Sequence, residues 1–323
     1  MTRKRILQLL FLALLVGGTV FIACQQHAPY QRASGFIFGT MYNVTYQHRS
    51  DLQADIVAEL LKVDGEFSMF NEHSTVAAVN RGEQPQLSPM YKEVYQLAQR
   101  VNADTYGAFD VTVAPLVNAW GFGFKSQQLP TPAQVDSLLA IRSMLDFSAI
   151  AKGYGCDVVA RLLQAHGIEN YLVEIGGEVV AQGVSDQGRP WRIGVSKPTD
   201  DPAAQAELQA VLTVDRQAMA TSGNYRNYYI ADDGRKLAHT IDPRTGYPVQ
   251  HNILSATVLA PTCAQADAYA TAFMVLGLDS ARIVLSRHAD MQAYIVYTDS
   301  AGHYATWHSP ALHVEEAAQP EEQ

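Results

Sequence analysis

The order in which strand-like and helix-like segments follow one another is the feature that most constrains the fold of this chain. Segments rich in β-branched and aromatic residues predict strands, and apolar residues at three- and four-residue spacing predict helices. The predicted strands cover residues 36–48, 171–180, 191–195, 208–214, 228–230 and 253–260, and the predicted helices cover 51–63, 74–80, 89–103, 132–141, 145–166 and a segment from 264 onward. The two kinds of segment do not alternate regularly as in βαβ units. We therefore predict an α+β body with mixed sheets and packed helices.

Length and charge limit the number of domains and the class of partner. The chain has 323 residues, of which 48% are hydrophobic and 17% charged, and its formal net charge is -9. This length suits one large domain or two modest ones. A negatively charged chain with no basic run after its first few residues is not expected to bind nucleic acid.

The N-terminus has the features of a targeting segment. Positively charged residues at 3–5 precede an almost wholly apolar run at 6–23, and Cys24 follows directly. A small residue and then Cys after an apolar run resembles the lipobox of bacterial lipoproteins, with Phe21 where leucine is usual. The alternative is a transmembrane anchor, because the run is just long enough to span a bilayer.

The polar tract that follows Cys24 favours a lipoprotein over a transmembrane anchor, because a lipid-anchored domain needs a flexible tether. We predict a signal peptide at 1–23, lipidation of the Cys24 thiol and a polar tether at 24–35. The body of the protein is then expected in the bacterial cell envelope, held to a membrane by the lipid and facing the periplasm.

Cys156 and Cys263 are the remaining cysteines of the chain. In an oxidising envelope they could form a disulfide, but two cysteines without a larger framework do not require one. No CxxC spacing or Cys/His cluster in the sequence indicates zinc. The pairing of these two thiols stays open.

A turn motif at 237–248 carries the best candidate for acid–base chemistry. A short strand-like run ends in a turn built from Asp242, Pro243 and Gly246, whose backbone preferences suit a tight turn. His239 lies just before this turn, and imidazole is the side chain best suited to accept a proton near neutral pH. The alternative is a surface hairpin whose histidine is merely solvated.

Two helical segments carry polar residues suited to an anion and to a hard cation. The helix start at 145–155 is glycine-rich and contains Lys152, and free backbone N–H groups there favour phosphate. Further along, Asp267 and Thr271 are four residues apart on a helix that is otherwise apolar, so both oxygens lie on one face. A buried Asp needs a partner, and this pair suits Mg²⁺ as well as it suits a structural cap.

Several short motifs occur in the order typical of the ApbE family of FAD:protein FMN transferases, and together the chain resembles that family over about residues 35–310. The motifs are Gly39-Thr40, Phe67-Ser68 with Ser74 and Asn80, Gly107 to Thr112 with Pro115 to Asn118 and Trp120 to Gly123, Asp146 to Gly153, Gly176-Gly177, Thr221 to Gly223, His239 with Ile241 to Gly246, and Ala266-Asp267 with Thr271. The resemblance implies one T-fold-related domain at 36–312, and we expect the acidic tail at 313–323 to be disordered.

The resemblance also implies the substrate site. The positions that match the family's FAD contacts are Phe38, Phe70, Ala108, Phe109, Asp110, Asp146, Lys152 and Ile241. The positions that match its Mg²⁺ ligands are Asp267, Thr271 and Ala149, the last through its backbone carbonyl. Phe38 and Phe70 replace the commoner Met and Tyr and keep the apolar bulk.

The reaction that the resemblance implies is transfer of FMN from FAD to a threonine, or less often serine, hydroxyl of another envelope protein. His239 is the expected base, Mg²⁺ the expected cofactor, and AMP the second product. The alternative is a periplasmic FAD-binding protein, or an FAD pyrophosphatase in which water replaces the acceptor. A structural lipoprotein without activity is a third possibility, which the joint presence of His239, Asp267 and Thr271 disfavours.

Overall fold

The computed structural model of the protein describes residues 28–122, 129–141, 144–198, 207–224, 228–230, 236–250 and 252–316, with a few isolated positions before residue 17. Cys24 and most of the predicted signal peptide lie outside the described residues, as do residues 317–323 of the predicted tail. Among the residues described, no helix has the length and apolar character needed to cross a bilayer.

An eight-stranded antiparallel sheet forms the centre of the fold, in the order β1-β2-β3-β4-β7-β10-β11-β12. Its strands are β1 (Tyr30–Ile37), β2 (Thr40–Gln47), β3 (Tyr171–Ile175), β4 (Glu178–Gln182), β7 (Gln217–Gly223), β10 (Ile253–Ala260), β11 (Gln292–Thr298) and β12 (Tyr304–His308). A second sheet has the order β13-β6-β5, and β8 pairs with β9. Their strands are β5 (Trp191–Ser196), β6 (Leu208–Val214), β8 (Tyr228–Ile230), β9 (Lys236–Ala238) and β13 (Val314–Glu316).

The described helices pack mainly on one face of the large sheet. They are α1 (Gln53–Phe67), α2 (Thr75–Asn80), α3 (Pro89–Asp104), α4 (Ala114–Ala119), α5 (Pro132–Ala140), α6 (Ala151–Ala165), α7 (Cys263–Leu276) and α8 (Leu278–Leu285). Helix α7 is buried on almost every side, between β7, β10, α3 and α6. The three-stranded sheet covers the other face over β4, β7 and β10. The predicted α+β class with helices packed on sheets is confirmed, and every strand pair in the described sheets is antiparallel.

The folded body begins earlier and ends later than the sequence predicts. Residues 30–35, predicted as tether, form most of β1, and all eight residues of β1 pair with β2. Residues 314–316, predicted as part of a disordered tail, form β13 and pair with β6. The physical reason is the same at both ends, because strand pairing satisfies the backbone groups of segments whose side chains are too polar to signal burial.

Helices α6 and α7 cross so closely that each supplies a cap for the other. Both carboxylate oxygens of Asp157 on α6 accept backbone N–H bonds at the start of α7, from Cys263 at 2.7 Å and Ala264 at 2.9 Å. Asp267 on α7 in turn accepts the N–H of Gly153, in the first turn of α6, at 3.1 Å. Carboxylates at helix N-termini satisfy free donors and complement the helix dipole. This reciprocal capping fixes the two helices against each other.

Gly153 is the contact point of this crossing, so we expect Gly153→Ala to destabilise the fold strongly. A Cβ there would lie 2.3 Å from the carbonyl oxygen of Cys263, a backbone atom that cannot rotate away. Overpacking of this kind costs about 1–3 kcal/mol or more. Thermal or urea unfolding measures the loss. The matched control is Gly65→Ala, a helical glycine with open space around it, which should stabilise by about 0.5–1 kcal/mol. Equal effects of the two substitutions would contradict the crossing.

Candidate active site

A large cavity of about 1010 Å³ opens where the ends of the central strands β3, β4 and β7 meet the helices. Its lining residues come from segments far apart in sequence, including the loops at 108–122 and 146–152, the Gly176-Gly177 turn, the ends of β5 and β7, the motif at 239–243 and helix α7. A site of this size is at the upper end of the range for small-molecule pockets. It is large enough for an elongated ligand such as a dinucleotide.

The cavity brings together nearly all the residues that the sequence nominated for substrate, metal and catalysis. Those lining it are Phe70, Ala108, Phe109, Asp110, Asp146, Ala149, Lys152, His239, Ile241, Asp267 and Thr271. Their placement around one space is a necessary condition for the predicted roles, and the individual roles remain predictions.

Phe38 is the exception among the predicted contacts, because it does not line the cavity. It occupies the turn between β1 and β2 with a positive φ of 51°, followed by Gly39 at 76°. Two successive positive φ values are typical of the tight hairpin turn that matches strand twist. The Phe38 ring packs against Gly155 of α6, where a Cβ would meet it at 2.8 Å. In this structure Phe38 therefore anchors the hairpin to α6.

A buried cluster of three charged residues lies on the helix side of the cavity. The Lys152 ammonium is 2.9 Å from Glu178 Oε1 and 3.8 Å from Asp267 Oδ2. The side chains of Glu178 and Asp267 are only 5% and 4% exposed. Burial raises the pKa of Glu178 to about 7 and also raises the pKa of Asp267, although the ammonium opposes both shifts. Burial disfavours the charged lysine, but the two carboxylates outweigh it and raise the pKa of Lys152.

The donor set beside this cluster fits a hard divalent cation. Asp267 and Thr271 lie one helical turn apart and both line the cavity, as does Ala149. The Thr271 hydroxyl is 3.1 Å from the Ser222 hydroxyl, and Glu178 Oε2 is a buried oxygen that has no hydrogen-bond partner in the described part of the chain. Carboxylate, hydroxyl and carbonyl oxygens are the ligands that Mg²⁺ takes, together with substrate phosphate and water. Within the described ranges, no three His, Cys, Asp or Glu side chains group as a metal site.

His239 lines the cavity next to a small, separately packed apolar cluster that includes Trp120, Val135 and Ile241. Its ring contacts Phe122 edge-on, with centroids 6.4 Å apart. The turn at 242–246, which follows His239, is held in place because the Trp120 indole N–H donates to the Gly246 carbonyl at 2.7 Å. Val135 of α5 also packs beneath Gly246. The histidine is therefore a partly buried residue at the cavity wall, which contradicts the alternative of a solvated hairpin side chain.

Asp242 has a structural task in the same turn. Its carboxylate accepts from Arg244 Nε at 2.9 Å and Nη2 at 2.8 Å, and from the Arg244 backbone N–H at 2.9 Å. The Gly246 N–H closes the turn onto the Asp242 carbonyl at 2.8 Å. Because its carboxylate oxygens are committed to Arg244, Asp242 is unsuited to act as a base, and His239 is the better candidate.

Two cavity loops are held by Asx-type hydrogen bonds. Asp110 Oδ1 accepts from both the backbone N–H and the hydroxyl of Thr112 at 2.8 Å. Asp146 Oδ1 accepts in the same way from Ser148. Asn80 anchors the second loop through a pair of bonds to the Leu145 backbone, at 2.9 and 2.7 Å. These bonds orient the carboxylates that the sequence nominated as FAD contacts.

Sequence reasoning missed Glu178 as a site residue. It is a buried acid at the start of β4, directly after Gly176-Gly177 and before three apolar residues, and a charge at that position was the available signal. The three-stranded sheet also contributes an unpredicted part of the cavity lining, Ile193 to Ser196.

The sequence does not settle whether Cys156 and Cys263 form a disulfide. In the structure both are buried free thiols.

Comparison with known proteins identifies the family of the chain. The sequence model of the ApbE family matches residues 38–295. An FAD:protein FMN transferase of Vibrio cholerae is 36% identical over 318 residues, covering 90% of this chain and 94% of the relative. The one from Salmonella typhimurium is 35% identical over 312 residues, covering 87% of each.

Solved structures show the same likeness in three dimensions. The flavin transferase ApbE from Vibrio cholerae matches with a TM-score of 0.79 at 34% identity, covering 88% of this chain and 98% of that structure. The ApbE protein of Thermotoga maritima matches with a TM-score of 0.74 at 25% identity, covering 86% and 96%. The chain belongs to the ApbE family.

Proposed function

We propose that this protein is an FAD:protein FMN transferase, which moves FMN from FAD to a threonine, or less often serine, hydroxyl of a cell-envelope protein. The products are an FMN phosphoester on the acceptor and AMP. The observation that carries the proposal is the cavity itself. Its lining includes His239, Lys152, Asp267 and Thr271, and the chain is similar to enzymes named for this activity.

The chain's own residues supply binding and proton transfer. The start of α6 and the Lys152 ammonium offer positive charge to the pyrophosphate of FAD. Phe70, Phe109 and Ile241 offer apolar surface to the flavin ring. His239 is proposed to take the proton of the acceptor hydroxyl as its oxygen attacks the phosphorus of the FMN half, and the bond to AMP then breaks.

Asp267, Thr271 and the carbonyl of Ala149 are proposed to hold Mg²⁺. When bound, the ion would neutralise negative charge on the phosphates as the P–O bond breaks. Glu178 stays paired with Lys152 and keeps that ammonium directed toward the phosphates.

Incubating the protein with FAD, Mg²⁺ and a candidate acceptor tests the proposed function. A transferase gives a fluorescent flavin band on the acceptor in a denaturing gel. Free FMN without labelled acceptor would instead identify an FAD pyrophosphatase, and the absence of turnover would identify a binding protein. Either result would contradict the proposal.

The anchoring of the protein is part of the same proposal. We expect the mature chain to begin at Cys24 and to carry lipid on that thiol, because a charged start, an apolar run and a small-residue–Cys junction precede a folded body that begins at Tyr30. Mass spectrometry of the N-terminal peptide from membrane extracts measures this. An intact Met1 or an unmodified Cys24 would contradict it.

A further inference from the structure

Two large apolar side chains stand exposed beside each other near the tip of the β1–β2 hairpin. Phe36 and Met41 are register partners on neighbouring strands, and they are 69% and 53% exposed. Both point away from the helices, because their neighbours Ile37 and Tyr42 face the helix-side core. The three-stranded sheet packs mainly over β4, β7, β10 and β11 and reaches Leu172 of β3; among the described residues, its apolar cluster includes none from the tip of the β1–β2 hairpin.

This pair, here called the hairpin patch, is continuous with the rim of the cavity. The Gly176 N–H donates to the Met41 carbonyl at 3.0 Å, and Gly176 lines the cavity. On the same outer face, Asn43 donates to the carboxylate of Glu174 at 2.8 Å, and Glu174 also lines the cavity. The exposed surface therefore runs from the cavity across Glu174 and Asn43 to the hairpin patch.

The proposed reaction requires a second protein at this rim. FAD is expected to fill much of the cavity, so an acceptor must insert a hydroxyl-bearing loop at the mouth and rest its surrounding surface on the rim. Aromatic residues and methionine are enriched where proteins bind each other, and a few such side chains carry most of the binding energy. We propose that Phe36 and Met41 form a docking patch for the acceptor protein, an inference that rests on the proposed function.

A membrane surface is the less suitable occupant of the hairpin patch. The chain enters β1 at Tyr30, six residues before Phe36, and a strand rises about 3.3 Å per residue. The patch thus lies about 20 Å from the end of β1 that leads to the proposed lipid anchor. The Glu174 carboxylate, between the patch and the cavity, would also repel an anionic lipid surface.

Steady-state transfer by the double variant Phe36→Ala, Met41→Ala tests the proposal. With an intact acceptor protein, we expect KM for the acceptor to rise at least about tenfold while kcat at saturation changes less than about twofold. FAD affinity, and transfer to a short threonine peptide cut from the same acceptor, should be unchanged because neither needs the patch. Ile283→Ala is the matched control, since Ile283 is 58% exposed on α8 and outside the cavity.

Three results would overturn the docking proposal. One is an unchanged KM for the intact acceptor. Another is an equal loss with protein and peptide, which would place the effect in the cavity. The third is weaker binding to vesicles of phosphatidylethanolamine and phosphatidylglycerol with an unchanged acceptor KM, which would identify a membrane contact. Failure of the proposed function is separate and visible first, because the wild-type protein would then label no acceptor at all.

Discussion

Replacing Asp267 with alanine is expected to abolish Mg²⁺-dependent FMN transfer, with a loss of at least about a thousandfold. A bound metal ion contributes several kcal/mol of transition-state stabilisation, and each 1.36 kcal/mol is a factor of ten in rate. FAD binding should weaken but survive, because Phe70, Phe109 and Ile241, the proposed flavin contacts, line the same cavity and do not depend on the metal. Turnover measured against Mg²⁺ concentration, with FAD binding measured in parallel by fluorescence, gives both quantities.

A control variant at Asp157 distinguishes loss of the metal from loss of the contact between helices α6 and α7. The carboxylate of Asp157 also caps a helix N-terminus at the same crossing, but Asp157 does not line the cavity. Asp157→Asn should therefore lower thermal stability while keeping the wild-type dependence on Mg²⁺. Normal activity of Asp267→Ala at low Mg²⁺ would show that the metal assignment is wrong.

Replacing His239 with alanine is expected to slow FMN transfer at least about a hundredfold while FAD and Mg²⁺ bind with near-normal affinity. General-base catalysis typically contributes about 10²–10⁴-fold, and positioning and metal effects do not depend on the imidazole. A single-turnover assay with FAD pre-bound and acceptor in excess measures the chemical step. His303→Ala, a change at an exposed histidine outside the cavity, should leave the rate unchanged.

The pH dependence of the same step provides a second readout. The wild-type rate should rise with pH as an imidazole loses its proton near neutrality. Glu178 also titrates in this range, because burial raises its pKa to about 7. The profile should therefore be repeated in Glu178→Gln, where a rise due to His239 persists and one due to Glu178 disappears. Transfer by His239→Ala within a few-fold of wild type would exclude His239 as the base.

The sequence predicted those helices and strands that are determined by the residues within the segment itself. Strand β10 has the predicted bounds of 253–260, because its residues are nearly all apolar and form a central strand. The predicted helix at 74–80 is also observed as α2 (Thr75–Asn80), and the Ser74 side chain caps it by accepting from the Ala77 N–H at 3.0 Å. The spacing of Asp267 and Thr271 predicts that both lie on one face of a helix, since one helical turn separates them, whereas their assignment to Mg²⁺ depends on the family resemblance.

Features that depend on distant partners could not be predicted in this way. Strand β1 begins in a polar tract and is an edge strand, so only its pairing with β2 reveals it. Strand β13 is acidic and forms beside β6, with Glu315 ion-paired to Arg192. The role of Phe38 as a hairpin anchor likewise depends on Gly155 of α6, which no local pattern connects to it.

The charged cluster of Lys152, Glu178 and Asp267 in the cavity also could not be predicted from the sequence. The sequence nominated Lys152 and Asp267 separately, as an anion site and a cation site. Their closeness, and the position of Glu178 against Lys152, follow from the crossing of α6 and α7 over the β3–β4 hairpin. Such a cluster is visible only once the chain is folded.

Product analysis of the wild-type reaction tests the transfer of FMN to a hydroxyl group most directly. The protein is incubated with FAD, Mg²⁺ and an acceptor, and AMP, free FMN and the intact mass of the acceptor are measured in one sample. We expect AMP and modified acceptor in equal amounts, with one FMN attached through a phosphoester to a threonine or serine and little free FMN. Free FMN equal to AMP, with an unmodified acceptor, would show hydrolysis by water and contradict the transferase.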